Sequence, residues 1–226
     1  MTEDALTLTA DAPSPAAAPP APELAAFLAA RMCHDFISPA SAIVSGLDLL
    51  DDPSAQDMRD DAMNLIASSA RKLVDMLAFS RVAFGASASA ETFDARDLQR
   101  LTQGVFNHVR AQLDWAVGLD AVNKPAARAL LNLAQIGAGA LPMGGVARVT
   151  AERDGETIAL AVEAGGGRVR LRPEVAAGLR GEPLGEGLGG HWVQAYYLNA
   201  LVRAAGGSVE IETTEDKAVV RARTPA

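Results

Sequence analysis

The segment Arg31-Met32-Cys33-His34-Asp35-Phe36-Ile37-Ser38-Pro39 places a guanidinium, a carboxylate and a hydroxyl within a turn of one histidine. Upstream and through it, Leu24, Leu28, Met32 and Phe36 recur every four residues, which is one apolar stripe of a helix. At ~100° per residue, His34 projects about 140° away from the centre of that stripe, toward water. A histidine there has no core to fill, and imidazole is a neutral-pH nucleophile and acid/base group. Asp35 is placed to hold one ring nitrogen as N–H, leaving the other with a free lone pair for attack on phosphorus. Arg31 and Ser38, one turn away on either side, are placed to contact phosphate oxygens. Periodicity alone also allows a plain solvated histidine.

The helix that carries His34 spans about Pro22 to Leu50, interrupted by Pro39, which removes one hydrogen bond and bends the axis. Ile43, Leu47 and Leu50 continue the stripe, and Asp51-Asp52-Pro53 ends it. Ser54, with Asp57 three residues on, caps a second helix reaching about Phe84, with Ala62, Ile66, Leu73 and Leu77 on one side. Two such helices make a hairpin whose apolar stripe lacks a cover. Two copies supply one as a four-helix bundle, so a homodimer is expected.

The chain has 226 residues, of which 49% are hydrophobic. The net charge of −8 disfavours nonspecific nucleic-acid binding, which needs a basic face. The single cysteine, Cys33, excludes an internal disulfide or a multi-cysteine zinc site. No apolar run is long enough to cross a bilayer. Met1-Thr2-Glu3-Asp4 lacks the basic region and apolar block of a signal peptide, so a cytoplasmic protein is expected. Residues 1–21, rich in Ala, Pro, Ser and Asp, read as a disordered tail.

After a linker at 85–91 the pattern becomes mixed. Helices are expected over Asp94–Val109, Ala126–Ala140 and Gly190–Ala205. Strands are expected over Gln112–Val117, Val146–Glu152, Thr157–Val162, Ser208–Glu212 and Ala218–Arg223. Arg168-Val169-Arg170-Leu171-Arg172 alternates, so in a strand its three arginines share one face. That is either a solvated strand face or the dock of an acidic partner. His108 sits near a helix end, where a positive charge is favoured. His191, among Trp192, Tyr196 and Tyr197, suits a structural role. No His/Asp/Glu cluster has metal-ligand spacing, and no Ser/His/Asp set is visible.

His-Asp-x-x-Ser-Pro early in a dimerising hairpin resembles the phosphoacceptor motif of histidine-kinase dimerisation domains, through His34, Asp35 and Pro39, with Ser38 where Thr or Asn is usual. Together with the second domain, almost everything after residue 22 is similar to the histidine phosphotransferases of alphaproteobacterial cell-cycle relays. The resemblance implies an α+β chain. Residues 22–84 are then a helical hairpin forming a dimeric four-helix bundle for dimerisation and phosphotransfer. Residues 92–226 are a shortened histidine-kinase-ATPase-like α/β sandwich.

In kinases an Asn in a pattern like N-L-L-x-N-A holds magnesium. The matching stretch, Asn132-Leu133-Ala134-Gln135-Ile136-Gly137, puts Ile136 at that place, and Ile cannot ligate a hard cation. The D-x-G-x-G that holds adenine is matched by Glu163-Ala164-Gly165-Gly166-Gly167, with Glu for Asp. Gly185-Glu186-Gly187-Leu188-Gly189 resembles the late phosphate-binding glycine box, with little room before it for a lid. The domain therefore reads as a former nucleotide site kept as scaffold and docking surface, with no cofactor bound by this chain. The resemblance implies reversible phosphoryl relay through His34, with Mg2+ supplied by the partner receiver domain. The donor is a receiver on a hybrid kinase of the CckA type, and the acceptors are response regulators of the CtrA and CpdR type. Phe36, Ile37, Ala40, Ile43 and Val44 are expected to contact the receiver, and Arg168, Arg170 and Arg172 to dock its acidic pocket. The alternatives are an active histidine kinase and a nonenzymatic receiver-binding scaffold.

Overall fold

The computed structural model describes Pro19 and residues 21–85, 90–183 and 189–226. Most of the expected tail, and residues 86–89 of the expected linker, lie outside the described residues.

Helix α1, Ala21–Asp51, runs unbroken through the buried Pro39. A 3₁₀ turn, Pro53–Met58, leads to α2, Arg59–Ala83. The expected Ser54 cap is corrected here. Asp52 is the cap, accepting from the backbone N–H and the hydroxyl of Ser54 at 2.8 and 2.7 Å. Pro53, which has no N–H to donate, opens the turn, so the second α-helix starts five residues beyond Ser54. The two helices approach closely at Gly46, where an added Cβ would lie 2.6 Å from Ile66 Cγ1.

The second domain is a mixed sheet covered on one face by helices. β1 (Thr92–Asp94) pairs antiparallel with β3 (Ala121–Asn123), too short a ladder to show in the sequence pattern. α3 is Ala95–Phe106, capped by Asp94. α4 is Lys124–Gly139, capped by Asn123. β2 (Ala111–Val117), β4 (Gly145–Asp154), β5 (Thr157–Gly165), β6 (Ser208–Thr213) and β7 (Ala218–Pro225) form the main sheet in the order β2-β4-β5-β7-β6, with β2 and β4 parallel and the other pairs antiparallel.

Alternation decides which face is inside. Ala147, Val149 and Ala151 of β4, Ile158, Leu160 and Val162 of β5, and Val220 and Ala222 of β7 are buried with Leu130, Ala134 and Gly137 of α4. The outer face is laced with exposed ion pairs such as Asp114–Arg148 and Arg221–Glu212.

Two helices complete the domain, α5 (Pro173–Arg180) and α6 (Gly189–Ala204). Arg168–Arg172 is not a strand, contrary to expectation. The β4–β5 ladder ends at Gly165, and Gly166, at φ +69°, turns the chain away from it. The segment passes alongside α4 as unpaired chain, with the Arg170 N–H donating to the Ala140 carbonyl at 2.8 Å. The side-chain alternation survives without a sheet. The three arginines are exposed, while Val169 and Leu171 pack on the core.

The hairpin and the sheet domain are packed together. Leu24, Phe27 and Leu28 of α1 lie on Trp192, Val193 and Tyr196 of α6. The start of the apolar stripe is thus covered within the chain, where a second copy was expected to cover it. At the other end, Asn132 Nδ2 donates to the Ala83 carbonyl at 3.1 Å and Tyr197 Oη to the same oxygen at 3.4 Å. Gly85 takes φ +84° where the chain leaves α2, a backbone conformation that is strained for a residue with a Cβ.

Candidate functional site

α1 carries His34 on a face left open among the described residues, with the His34 side chain 86% exposed. Met32 and Phe36 turn inward instead, into a cavity of about 240 Å³ shared with Met76, Phe79 and Phe84. Stripe and histidine therefore separate as the periodicity requires.

His34 Nδ1 lies 3.4 Å from Asp35 Oδ1, at the long end of hydrogen-bond range. An ionised carboxylate only accepts, so this contact selects the imidazole tautomer that is protonated at Nδ1. The Nε2 lone pair then faces solvent. Asp35 is itself held, because Arg31 Nε donates to its Oδ2 at 3.1 Å. Arg31 Nη1 donates onward to the carbonyl of Gly190, in the first turn of α6. Ser38 is exposed on the next turn. Pro39 has no N–H to give the Asp35 carbonyl one turn back, so the ordinary helical bond is missing there.

The other expected contact residues divide. Ile37 and Val44 are 62% and 56% exposed. Ala40 and Ile43 are half-buried, and Phe36 lines the inner cavity. Arg170 and Arg172 border a smaller cavity with Arg31, Gln135 and Ile136, so the structure brings two of the three arginines into the crease where Arg31 sits. Arg168 is not part of that lining.

The residues matched to kinase nucleotide boxes have other occupations. Ile136 is buried and apolar. Asn132 is fully buried and bonds the carbonyls of Ala83 and Arg128. Glu163 is paired with Lys217 Nζ at 2.7 Å. Gly185-Glu186-Gly187-Leu188 lies outside the described residues, and Gly189 opens α6. Among the described residues no three His, Cys, Asp or Glu side chains come together as metal ligands, and no helix is long and apolar enough to cross a membrane.

Sequence reasoning missed one link between the domains and one between two helices of the second domain. His108 Nε2 lies 2.8 Å from Asp75 Oδ2, joining the end of α3 to α2. Arg128 donates to Tyr197 Oη, and burial holds the Tyr197 phenol above its ordinary range against the pull of Arg128. Both join residues far apart in the chain, and no local pattern marks them.

Residues 95–217 match the family described as histidine phosphotransferase C-terminal domain. The chain is 35% identical over 201 residues to the protein phosphotransferase ChpT of Brucella abortus (strain 2308), covering 88% of this chain and 95% of that one. The chain belongs to the histidine phosphotransferase family. Its architecture agrees. A bacterial phosphotransferase of known structure superposes with a TM-score of 0.81 at 33% identity, over 92% of this chain and 100% of that one. The long hairpin and the shortened kinase-ATPase-like sandwich expected from the sequence are both present, and His34 stands on the exposed face of α1.

Proposed function

We propose that this phosphotransferase is an intermediate in a multistep phosphorelay and that His34 is its phosphoacceptor. The observation that carries the reading is the exposed His34 imidazole with Nδ1 against Asp35. A phosphorylated receiver domain docks on α1. Nε2 attacks phosphorus in line, a nitrogen–phosphorus bond forms, and the bond to the receiver's Asp oxygen breaks, releasing its carboxylate. The imidazole keeps its Nδ1 proton and becomes cationic, and the adjacent Asp35 carboxylate stabilises that charge. A second receiver's Asp then reverses the step. Such transfer is mostly positioning and charge stabilisation, so a surface histidine on a rigid helix is enough.

Mg2+ comes with the receiver and ATP is not used. The buried Ile136 and the Glu163–Lys217 pair support this, because neither place offers what magnesium or adenine needs. Exposed Ile37 and Val44 serve as apolar anchors, and the arginines at 168, 170 and 172 meet the receiver's acidic pocket. Ser38 is placed near the incoming phosphate. The receivers are of the hybrid-kinase (CckA-like) and response-regulator (CtrA-like, CpdR-like) kinds, in the cytoplasm and in cell-cycle control.

The protein works as a homodimer. Leu47 on α1, and Met63, Val74 and Leu77 on α2, remain exposed at heptad-like spacings, as the seam of a four-helix bundle would be in a lone chain. The test mixes the protein with ATP alone and with a phosphorylated receiver, for wild type and His34→Ala. Labelling only from the receiver, and only with His34, is expected. Labelling from ATP alone would make the protein a kinase, and labelling from neither would make it a scaffold.

A further inference from the structure

Neighbouring residues on a helix point about 100° apart, so i and i+1 side chains do not ordinarily face each other. His34 and Asp35 nevertheless meet, Nδ1 to Oδ1, at 3.4 Å. Something must hold the Asp35 carboxylate turned back toward the ring. Arg31 does so. Its Nε takes Oδ2 from one turn below, which fixes the plane of the carboxylate and presents Oδ1 to the histidine. Arg31 is fixed in turn by the second domain, through the Nη1 hydrogen bond to the Gly190 carbonyl. Its side chain is only 19% exposed, and it lines the cavities on three sides of this crease. The guanidinium is a rigid planar fork, so binding two acceptors at once transmits position in a way that a lysine point charge does not.

The carbonyl end of this chain of bonds is itself anchored. Gly190 lies two residues before Trp192, which is 1% exposed, packs against Phe27 with centroids 6.4 Å apart, and donates from Nε1 to the Glu182 carbonyl at 3.0 Å. A continuous path therefore runs from the α5–α6 region through Gly190, Arg31 and Asp35 to the imidazole.

We infer that Arg31 is a positioning residue, a strut through which the second domain sets the orientation and tautomer of His34, rather than a ligand of the transferred phosphate. The domain that has lost the ordinary nucleotide residues thereby keeps a part in the chemistry. This deepens the phosphorelay reading and rests on it for its kinetic consequence. The structural half, the tautomer, stands independently.

The experiment uses the full chain, labelled with ¹⁵N at histidine, and long-range proton–nitrogen spectra of His34. The variants are Arg31→Gln and Phe27→Ala, the second of which loosens the α1–α6 packing and, since Phe27 has no polar side-chain atom, removes no hydrogen bond from Arg31, Asp35 or His34. Wild type is expected to show a predominantly Nδ1–H imidazole. Arg31→Gln is expected to move His34 toward the Nε2–H form, and Phe27→Ala to move it the same way by less. Single-turnover transfer from a phosphorylated receiver falls on the order of tenfold in Arg31→Gln at saturating receiver, with the half-saturating concentration unchanged.

An unchanged tautomer in Arg31→Gln would overturn the strut. A raised half-saturating concentration alongside it would make Arg31 a direct phosphate or partner contact. A tautomer that shifts in Arg31→Gln but not in Phe27→Ala would overturn the role of the second domain. If His34→Ala still accepts phosphate, the phosphorelay assignment of His34 fails, and the spectra decide the strut on their own.

Discussion

Phe27 on the first helix and Trp192 on the last meet nearly at right angles, with ring centroids 6.4 Å apart and planes at 87°. Edge-to-face packing of this kind adds to the area that it buries. With Leu24, Leu28 and Tyr196 around it, the contact makes the hairpin and the sheet domain one packed body at the end near His34. Trp192→Ala is expected to cost about 3–5 kcal/mol, because the side chain is fully buried and leaves a cavity spanning both domains. Urea unfolding followed by circular dichroism measures it. A change under 1 kcal/mol would mean that the interdomain contact contributes little.

Asn132 secures the other end. It is fully buried, and its amide donates to Ala83 and Arg128 carbonyls at 3.1 and 2.9 Å. Asn132→Ala leaves the Ala83 carbonyl with only the long Tyr197 Oη contact at 3.4 Å and is expected to cost about 1–3 kcal/mol. The same unfolding assay checks it. Phosphotransfer from a receiver should persist in the variant where it stays folded, because Asn132 does not reach the His34 site.

The exposed seam predicts its own disruption. Val74 is 64% exposed on α2, and Val74→Glu would place a charge in the interior of the proposed bundle. Light scattering coupled to size-exclusion chromatography should find a dimer in the wild type and a monomer in the variant. A wild type that is monomeric at micromolar concentration would remove the bundle.

How much of this was legible beforehand differs element by element. His34 was placed by period alone, because α1 is long and its stripe strong, and the structure puts the ring in solvent as expected. Arg168–Arg172 carried a two-residue period that the structure honours in exposure but not in hydrogen bonding. Alternation reports which side chains face the core, and a sheet partner depends on a neighbour that Gly166 steers the chain away from. Ser54 reads as a cap in the sequence, but both its backbone N–H and its hydroxyl are donated to Asp52, which caps the turn instead. The sequence places Arg31 one turn from His34 but does not show its second acceptor, Gly190, which lies 159 residues away. Contacts of that separation leave no trace in local spacing.

The arginines at 168, 170 and 172 are exposed, and the last two border the crease that holds Arg31. Reversing all three to Glu is expected to slow transfer to at least one receiver by about tenfold or more at low salt, with the difference shrinking as salt screens the encounter. Rapid-quench transfer assays at two ionic strengths measure this, and scattering checks that the dimer is intact. Unchanged kinetics would remove the arginines from the docking face.

The most direct test of the account is to incubate the wild-type protein with a ³²P-phosphorylated receiver, without ATP, and locate the label by fragmentation mass spectrometry under alkaline conditions that preserve phosphohistidine. The account predicts phosphate on the His34 imidazole at Nε2 and none in His34→Ala. Phosphate on another residue, or equal labelling of His34→Ala, would contradict it.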